Sequence, residues 1–72
     1  MEGPGEAESL GVRDFFRMER AEVRIEAGRL IRTFWSEHGR RFELDARAGR
    51  WREVPGVGRL PPPSEGWQPL AR

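Results

Sequence analysis

Apolar residues return at every second position in two separate stretches of the chain, and this alternation constrains the fold more than any other feature. Residues 21–27 alternate small or branched apolar side chains with charged ones, and residues 41–47 do the same around Phe42 and Leu44. A β-strand points successive side chains to opposite faces of a sheet, so this period is typical of a strand with one buried face. A third stretch, residues 30–35, is rich in the β-branched and aromatic residues that strands favour.

Glycines separate these stretches almost evenly, at Gly28, Gly39 and Gly49. This is the spacing of turns in a meander. The sequence therefore predicts a small all-β domain over residues 12–54, an antiparallel meander or half-barrel of three to four strands. Residues 1–11 are predicted to be a disordered acidic tail, and residues 55–72 a Pro-rich tail that can pack back on the sheet. For residues 6–20 the pattern leaves both helix and strand open.

A helix is the main alternative for the first two stretches. Five apolar residues also fall on one helical face: Val23, Ala27, Leu30, Ile31 and Phe34. Gly28 in the middle of such a helix would cost about 1 kcal/mol. Strands are therefore favoured, because a helix would make the strict alternation around Val23 a coincidence.

The turn residues predict a register. A two-residue turn at His38-Gly39 places Trp35 opposite Phe42, and a three-residue turn over residues 26–28 places Val23 opposite Ile31. With a further two-residue turn at Ala48-Gly49, one face is predicted to form the core: Ala21, Val23, Ile25, Ile31, Thr33, Trp35, Phe42, Leu44, Ala46 and Trp51.

The second face carries mostly charged side chains, but it also carries two apolar residues that need a cover. We predict that the candidate binding face consists of Leu30, Arg32, Phe34, Arg41, Arg47 and Arg52. The cover over Leu30 and Phe34 is either the C-terminal tail, a second subunit or a ligand. The candidate interaction tail comprises Leu60, Pro62, Trp67 and Leu70.

Arginines beside aromatic rings are a combination that single-stranded nucleic-acid binders use, since arginine holds phosphate and a ring stacks on a base. Phe34 is the stacking ring in this reading. The favoured alternative is a set of core aromatics, Phe42 and Trp51, flanked by solvated arginines. The net charge of only +1 gives weak support for a nucleic-acid partner. Residues 59–63, RLPPP, match a polyproline ligand, but packing of the tail on its own sheet is favoured.

Catalytic and metal-binding patterns are missing from the sequence. There is no cysteine, and a lone histidine, His38, cannot form a zinc site and suits a tight turn. The two aspartates suit a cap or turn at Asp14 and a cross-strand pair at Asp45. We therefore expect no enzyme activity, no catalytic residue, no metal and no cofactor.

The chain has no apolar run of the roughly 20 residues that a membrane span needs. The acidic N-terminus lacks the basic start and apolar stretch of a signal peptide. A cytoplasmic protein without membrane contact is expected. Because a core this small supplies only about 3–5 kcal/mol, a homo-oligomer is a plausible remedy for low stability.

Four short segments resemble the β-rich C-terminal module of bacterial Y-family polymerase-like mutagenesis proteins. They are Arg13-Asp14-Phe15-Phe16, Met18-Glu19, Gly28-Arg29-Leu30 with Phe34, and Gly49-Arg50-Trp51. The gap between the first and third segments is longer than in that family, and Arg52-Glu53-Val54 replaces its aromatic-His-Gly ending. The module, whose own activity is uncharacterised, also occurs as small stand-alone proteins. The resemblance implies an accessory module near DNA-repair machinery, with no catalytic residues to carry over.

Two functions remain open at the level of sequence. The first is a small non-catalytic binding module whose partner is unknown and can be nucleic acid. The second is a structural or protein-interaction subunit that homodimerises or docks on a larger protein.

Overall fold

A computed structural model describes residues 9–71 of the 72-residue chain. Within this range it has one short helix and five strands, in the order α1 (Val12–Phe16), β1 (Glu19–Glu26), β2 (Arg29–Trp35), β3 (Arg41–Asp45), β4 (Arg50–Val54) and β5 (Gln68–Pro69). The strands form one antiparallel sheet in sequence order, and the sheet is not closed. The predicted small antiparallel meander is confirmed, with five strands in place of three to four.

The turn between β1 and β2 contains only two residues, Ala27 and Gly28, and both have positive φ angles of 53° and 76°. This is the backbone sign of a type I′ turn, whose twist matches that of the flanking strands. Glu26 therefore pairs with Arg29, and Ile25 with Leu30. The three-residue turn predicted from the sequence is wrong by one residue, because Glu26 belongs to the strand.

The connection between β2 and β3 is longer than predicted. Ser36 accepts hydrogen bonds through Oγ from the backbone N–H groups of His38 and Arg40, at 3.2 and 3.1 Å. These bonds hold residues 36–40 as a loop, so Trp35 pairs with Arg41 and Phe34 with Phe42. The predicted pairing of Trp35 with Phe42 is thus displaced by one residue.

A displacement of one residue turns every side chain of β2 to the other face. Phe34, Arg32 and Leu30 lie on the same face as Phe42, and the predicted core members Ile31, Thr33 and Trp35 lie on the opposite face. The predicted connections before and after β2 were each wrong by one residue. These two errors cancel, so the side chains of β1 near its turn keep their predicted face. Val23 and Ile25 therefore share the face of Phe42, as predicted.

We call the side of the sheet with Phe34 and Phe42 the helix-covered face, because α1 packs against it. Phe15 of α1 is 1% exposed, and its ring centroid lies 5.4 Å from Phe34, 6.2 Å from Phe42 and 6.3 Å from Trp51. The remaining core residues on this side are Leu10 and Leu44, with Met18 and Leu70 at its margin. The helix is only five residues long, so its position depends on this aromatic packing rather than on its own propensity.

We call the opposite side the tail-covered face, because the C-terminal tail, residues 55–71 of the described chain, lies across it. Arg52 donates hydrogen bonds through Nη1 to the backbone oxygens of Pro62 and Glu65, at 2.7 and 2.9 Å. Trp67 lies beneath the guanidinium groups of Arg50 and Arg52, with Cζ-to-centroid distances of 4.5 and 4.7 Å. The tail then continues into β5, which pairs with β4.

The two ends of the described chain meet. The backbone N–H of Ala71 donates to the carbonyl oxygen of Leu10 at 2.8 Å, and Gly11 and Ala71 form a parallel bridge. A Cβ atom at Gly11 would lie 3.0 Å from the oxygen of Ala71, so glycine permits this close approach. Leu10 is buried in the core. The assignment of residues 9–11 to a disordered tail is therefore corrected, while residues 1–8 lie outside the described range.

Candidate nucleic-acid interface

A basic groove runs along the helix-covered face where α1 leaves the sheet open. It consists of two hollows that share Arg32 and Ala46. One hollow lies beside α1 and includes Phe16 and Arg20; the other lies at the turn end of the sheet and includes Arg29 and Arg47. We use the term basic groove for the surface formed by Val12, Phe16, Arg20, Arg29, Leu30, Arg32, Ala46 and Arg47.

A β-bulge directs Arg20 into the basic groove. The register shifts between Arg20 and Glu22, so that Arg20 pairs with Phe34 while Glu22 pairs with Thr33. In a regular strand Arg20 would point to the same face as Glu22, whereas the extra residue turns it to the helix-covered face. The bulge therefore separates this arginine from the acidic side chains of β1.

Strand geometry and the two turns position the other three arginines. Arg32 lies in the middle of β2 between Val23 and Leu44, its partners on the neighbouring strands. Arg29 follows the Ala27–Gly28 turn, and Arg47 lies in the turn over residues 46–49. An antiparallel meander brings both turns to the same end of the sheet, which is why Arg29 and Arg47 are neighbours despite their separation in sequence.

The four arginines lack acidic partners within the part of the chain that the structure describes. Among residues 9–71, neither Arg20, Arg29, Arg32 nor Arg47 forms an ion pair. Asp45 is the one carboxylate that lines the groove, but it is 2% exposed, and its Oδ2 lies 3.6 Å from Nε of Arg50. The groove therefore presents uncompensated positive charge to solvent.

Apolar side chains lie between these charges. Phe16 is 79% exposed and Leu30 is 45% exposed, so both present surface that a ligand could cover. Phe15 and Phe16 are adjacent in α1, and adjacent helical residues point about 100° apart. Only one of the two rings can therefore enter the core, and the other is left at the edge of the groove.

The residues of the predicted binding face divide between the two sides of the sheet. Leu30, Arg32 and Arg47 lie together in the basic groove. Arg41 and Arg52 lie on the tail-covered face. Phe34 is only 7% exposed beneath Phe15, so it is a core residue, and the prediction of Phe34 as an exposed stacking ring is wrong.

The predicted binding face lacked the other five members of the groove, of which Phe16, Arg20 and Arg29 matter most for binding. A helix ending at Phe16 would have revealed the exposed ring, since Phe15-Phe16 is a pair of which one member must face outward. The bulge that turns Arg20 leaves no equally clear mark in the sequence. Arg29 was missed because it shares the strand face of Ile31 and borders the groove only through its position beside the turn at the end of the sheet.

The four residues of the predicted interaction tail lie in different environments. Trp67 stacks with Arg50 and Arg52, Leu70 packs against the core, and the carbonyl of Pro62 accepts from Arg52. Leu60 is exposed. The Pro-rich segment is thus bound to its own sheet through backbone oxygens, as the favoured reading of RLPPP anticipated.

Arg52 and Glu43 form the centre of a buried polar network on the tail-covered face. Arg52 donates through Nε to Oε1 of Glu43 at 2.9 Å, and Arg24 also donates to the Glu43 carboxylate. Burial on its own would raise the pKa of Glu43, but the hydrogen bonds and charges of Arg24 and Arg52 outweigh it and lower the pKa below its ordinary value. The hydrogen bond with Glu43 raises the pKa of Arg24. This network holds the charges of Arg24, Glu43 and Arg52 in place.

The remaining polar residues singled out from the sequence have local roles. His38 lies exposed in the loop over residues 36–40, and Asp14 accepts from the backbone N–H of Gly11 at 2.8 Å. Asp45 accepts from the backbone N–H of Ala48 at 3.1 Å and orders the turn before Gly49. Across residues 9–71, no group of three histidine or acidic side chains is placed to hold a metal ion.

No helix in the described part of the chain has the length and apolar character needed to cross a membrane. Comparisons with protein-family models, with curated proteins and with solved structures found no significant match to this chain. The residues of the basic groove are therefore the basis for assigning a function.

Proposed function

We propose that the protein is a small non-catalytic module that binds single-stranded nucleic acid in the basic groove. The observation that supports this proposal is the alternation, along one groove, of exposed apolar side chains with arginines that form no ion pair among residues 9–71. Arg20, Arg29, Arg32 and Arg47 contact phosphates, and Phe16 stacks on a base.

Guanidinium groups bind phosphate oxygens through two parallel hydrogen bonds, and an exposed ring stacks on any base without regard to sequence. The four arginines follow the sheet over a distance of roughly 16 Å along β2, at about 3.3 Å per residue. A groove of this length contacts a short single-stranded segment. The proposal also agrees with the resemblance to the module of mutagenesis proteins, which implies a place near DNA.

Fluorescence anisotropy with a labelled single-stranded oligonucleotide tests the proposal at 50 and 200 mM salt. Three to four phosphate contacts give a slope of about −2 to −3 in log K against log salt, so affinity should fall roughly 20- to 50-fold between the two conditions. No binding at micromolar protein in 50 mM salt would contradict the proposal.

Two pairs of variants assign the binding to the groove. Arg32→Gln should weaken binding and reduce the salt slope by about 0.7, whereas Arg59→Gln, an exposed arginine outside the groove, should change neither. Phe16→Ala should weaken binding about 5- to 150-fold with an unchanged slope. Its control is Val57→Ala, because Val57 is exposed in the C-terminal tail. Equal effects of Arg32→Gln and Arg59→Gln would place binding elsewhere.

A second candidate function is a protein-interaction subunit that forms a homodimer. The observation that favours it is the edge of the sheet: β1 has a strand partner on one side only, and its residues Val23 and Ile25 are 46% and 75% exposed. An exposed apolar edge strand can pair with another strand. Sedimentation of the protein at two concentrations distinguishes the two functions. A dimer that Ile25→Lys dissociates would support this second function, and a monomer at both concentrations would exclude it.

A further inference from the structure

The turn end of the basic groove is a cleft with its own chemistry, which we call the turn cleft. Its walls are the two turns, residues 27–28 and 46–48, together with Arg29, Leu30 and Arg32. The cleft has a volume of about 660 Å³ and is open to solvent. The turn cleft lies at the end of the sheet, so a nucleic-acid strand bound along the basic groove ends there.

Three arginines line the turn cleft: Arg29, Arg32 and Arg47. Arg29 shares the strand face of Ile31 and also borders the hollow beside Trp67, so it reaches the cleft from the turn end of the sheet. Among residues 9–71 none of the three arginines has an ion-pair partner.

Asp45 also lines the cleft; its Oδ1 accepts from the N–H of Ala48, and its Oδ2 lies 3.6 Å from Nε of Arg50 without a hydrogen bond to it. One carboxylate shared with Arg50 leaves the three arginines with a net positive charge. Like charges held together repel one another, so the cleft favours a ligand with more than one negative charge.

Phosphate groups differ in charge according to their position in a strand. An internal phosphodiester has a single negative charge, whereas a phosphate monoester carries about −1.5 to −2 at pH 7 and three strong acceptor oxygens. Three arginines can supply a donor to each of the three acceptor oxygens, and their combined charge favours a dianion over a singly charged phosphodiester. The small side chains of the surrounding turns, Ala27, Gly28, Ala46 and Ala48, leave room for it to enter.

We propose that the turn cleft binds a phosphate monoester, supplied by the terminal phosphate of a single strand whose next nucleotides lie along the basic groove. This inference rests on the proposed function and deepens it, because it gives the strand a direction and an end. The same chemistry is presented by a free nucleotide, so the test separates the two sources.

The test compares three oligonucleotides of identical sequence: one without terminal phosphate, one with a 5′-phosphate and one with a 3′-phosphate. We expect one phosphorylated form to bind about tenfold more tightly than the unphosphorylated form. Arg47→Gln and, independently, Arg29→Gln should remove this difference. Arg20→Gln, at the other end of the groove, should weaken all three oligonucleotides and keep the difference.

The second measurement is a titration of the protein with a nucleoside monophosphate, observed by ³¹P NMR, which tests binding of a free nucleotide. Equal affinity for the three oligonucleotides would overturn the inference and leave the proposed function intact. If no oligonucleotide bound but the monophosphate bound in a manner that required Arg47, a strand end would be excluded as the source and the proposed function would fail. A preference for the terminal phosphate that survives both Arg29→Gln and Arg47→Gln would place its site outside the turn cleft.

Discussion

Arg52 and Glu43 form an ion pair in which each side chain is only 1% exposed and Nη2 lies 2.8 Å from Oε1. Removing two charges from water is costly, and this pair is stable because Arg24 and the backbone oxygens of the C-terminal tail complete its hydrogen bonds. The arginine was expected on a binding face, yet its function is to attach the tail to the sheet. Arg52 therefore connects the sheet to the Pro-rich segment.

Loss of the Glu43 carboxylate should be severe. Glu43→Gln leaves the charge of Arg52 buried without its partner, and we expect a loss of about 3–5 kcal/mol in the free energy of unfolding. The control is Glu53→Gln, which breaks a pair with Arg40 that is open to solvent and should cost about 1 kcal/mol or less. Urea denaturation followed by tryptophan fluorescence measures both. Similar losses for the two variants would show that burial of the pair is unimportant.

Stability should fall as the solution becomes acidic. The pKa values of Glu43 and Glu53 are lowered in the folded protein from their ordinary value of 4.5, by hydrogen bonds from arginine in each case. A lowered folded pKa gives stability that is complete above the unfolded pKa and is lost as pH falls through the folded pKa. Thermal unfolding between pH 6 and pH 3 should show this decline.

In Glu53→Gln most of the decline should remain, since Glu43 is unchanged in that variant. A midpoint temperature that rises on acidification, or a decline that Glu53→Gln abolishes entirely, would contradict the assignment of the effect to Glu43.

The C-terminal tail should detach when Trp67 is removed. Trp67→Ala eliminates the stacking with Arg50 and Arg52, and we expect a loss of about 2–3 kcal/mol together with faster hydrogen exchange in β5. Leu60→Ala, in the exposed part of the tail, should change stability by less than about 0.5 kcal/mol. Unchanged exchange in Trp67→Ala would mean that the carbonyl contacts of Arg52 hold the tail alone.

The adjacent rings of α1 should separate stability from binding. Phe15→Ala removes the residue that contacts Phe34, Phe42 and Trp51, and a loss of about 3–5 kcal/mol is expected. Phe16→Ala should change stability by less than about 0.5 kcal/mol, although it weakens nucleic-acid binding. Chemical denaturation and anisotropy on the same two proteins test this. A large stability loss in Phe16→Ala would make the ring structural.

A substitution in the turn between β1 and β2 should stabilise the protein. Ala27 has a positive φ of 53°, a conformation that costs an alanine about 1–2 kcal/mol and that asparagine tolerates better. Ala27→Asn should therefore stabilise the protein by about 0.5–1 kcal/mol, which raises the midpoint of thermal unfolding by roughly 2–8 °C. A lower midpoint in calorimetry would argue against a type I′ turn at this position.

The alternation of side chains was sufficient to predict the strands, but the register depended on the loops. The error between β2 and β3 arose because Ser36 hydrogen-bonds the backbone and lengthens the connection, an interaction that alternation alone does not reveal. The turn before β4 was also predicted too short, since Trp51 pairs with Leu44 and not beside Ala46. That displacement equals two residues, so Trp51 kept its predicted face.

Members of the candidate site could be predicted only where their placement did not depend on the register of β2. Arg47 lies in a turn whose position Gly49 marks, and Leu30 and Arg32 were placed together because residues two apart on a strand always share a face. Their face was assigned wrongly, so Arg41 and Arg52 were joined to them. Burial of Ile31 and Thr33 was predicted, and both are buried, but they lie on the tail-covered face and not on the face of Phe42.

The bridge between Gly11 and Ala71 means that the described chain is nearly a closed ring. A short peptide linker between residues 10 and 71 would span a distance that one hydrogen bond already covers. The protein is therefore suited to circular permutation, with new termini in the loop over residues 36–40. Such a rearranged chain would place both new ends beside β4, where Arg40 contacts Glu53.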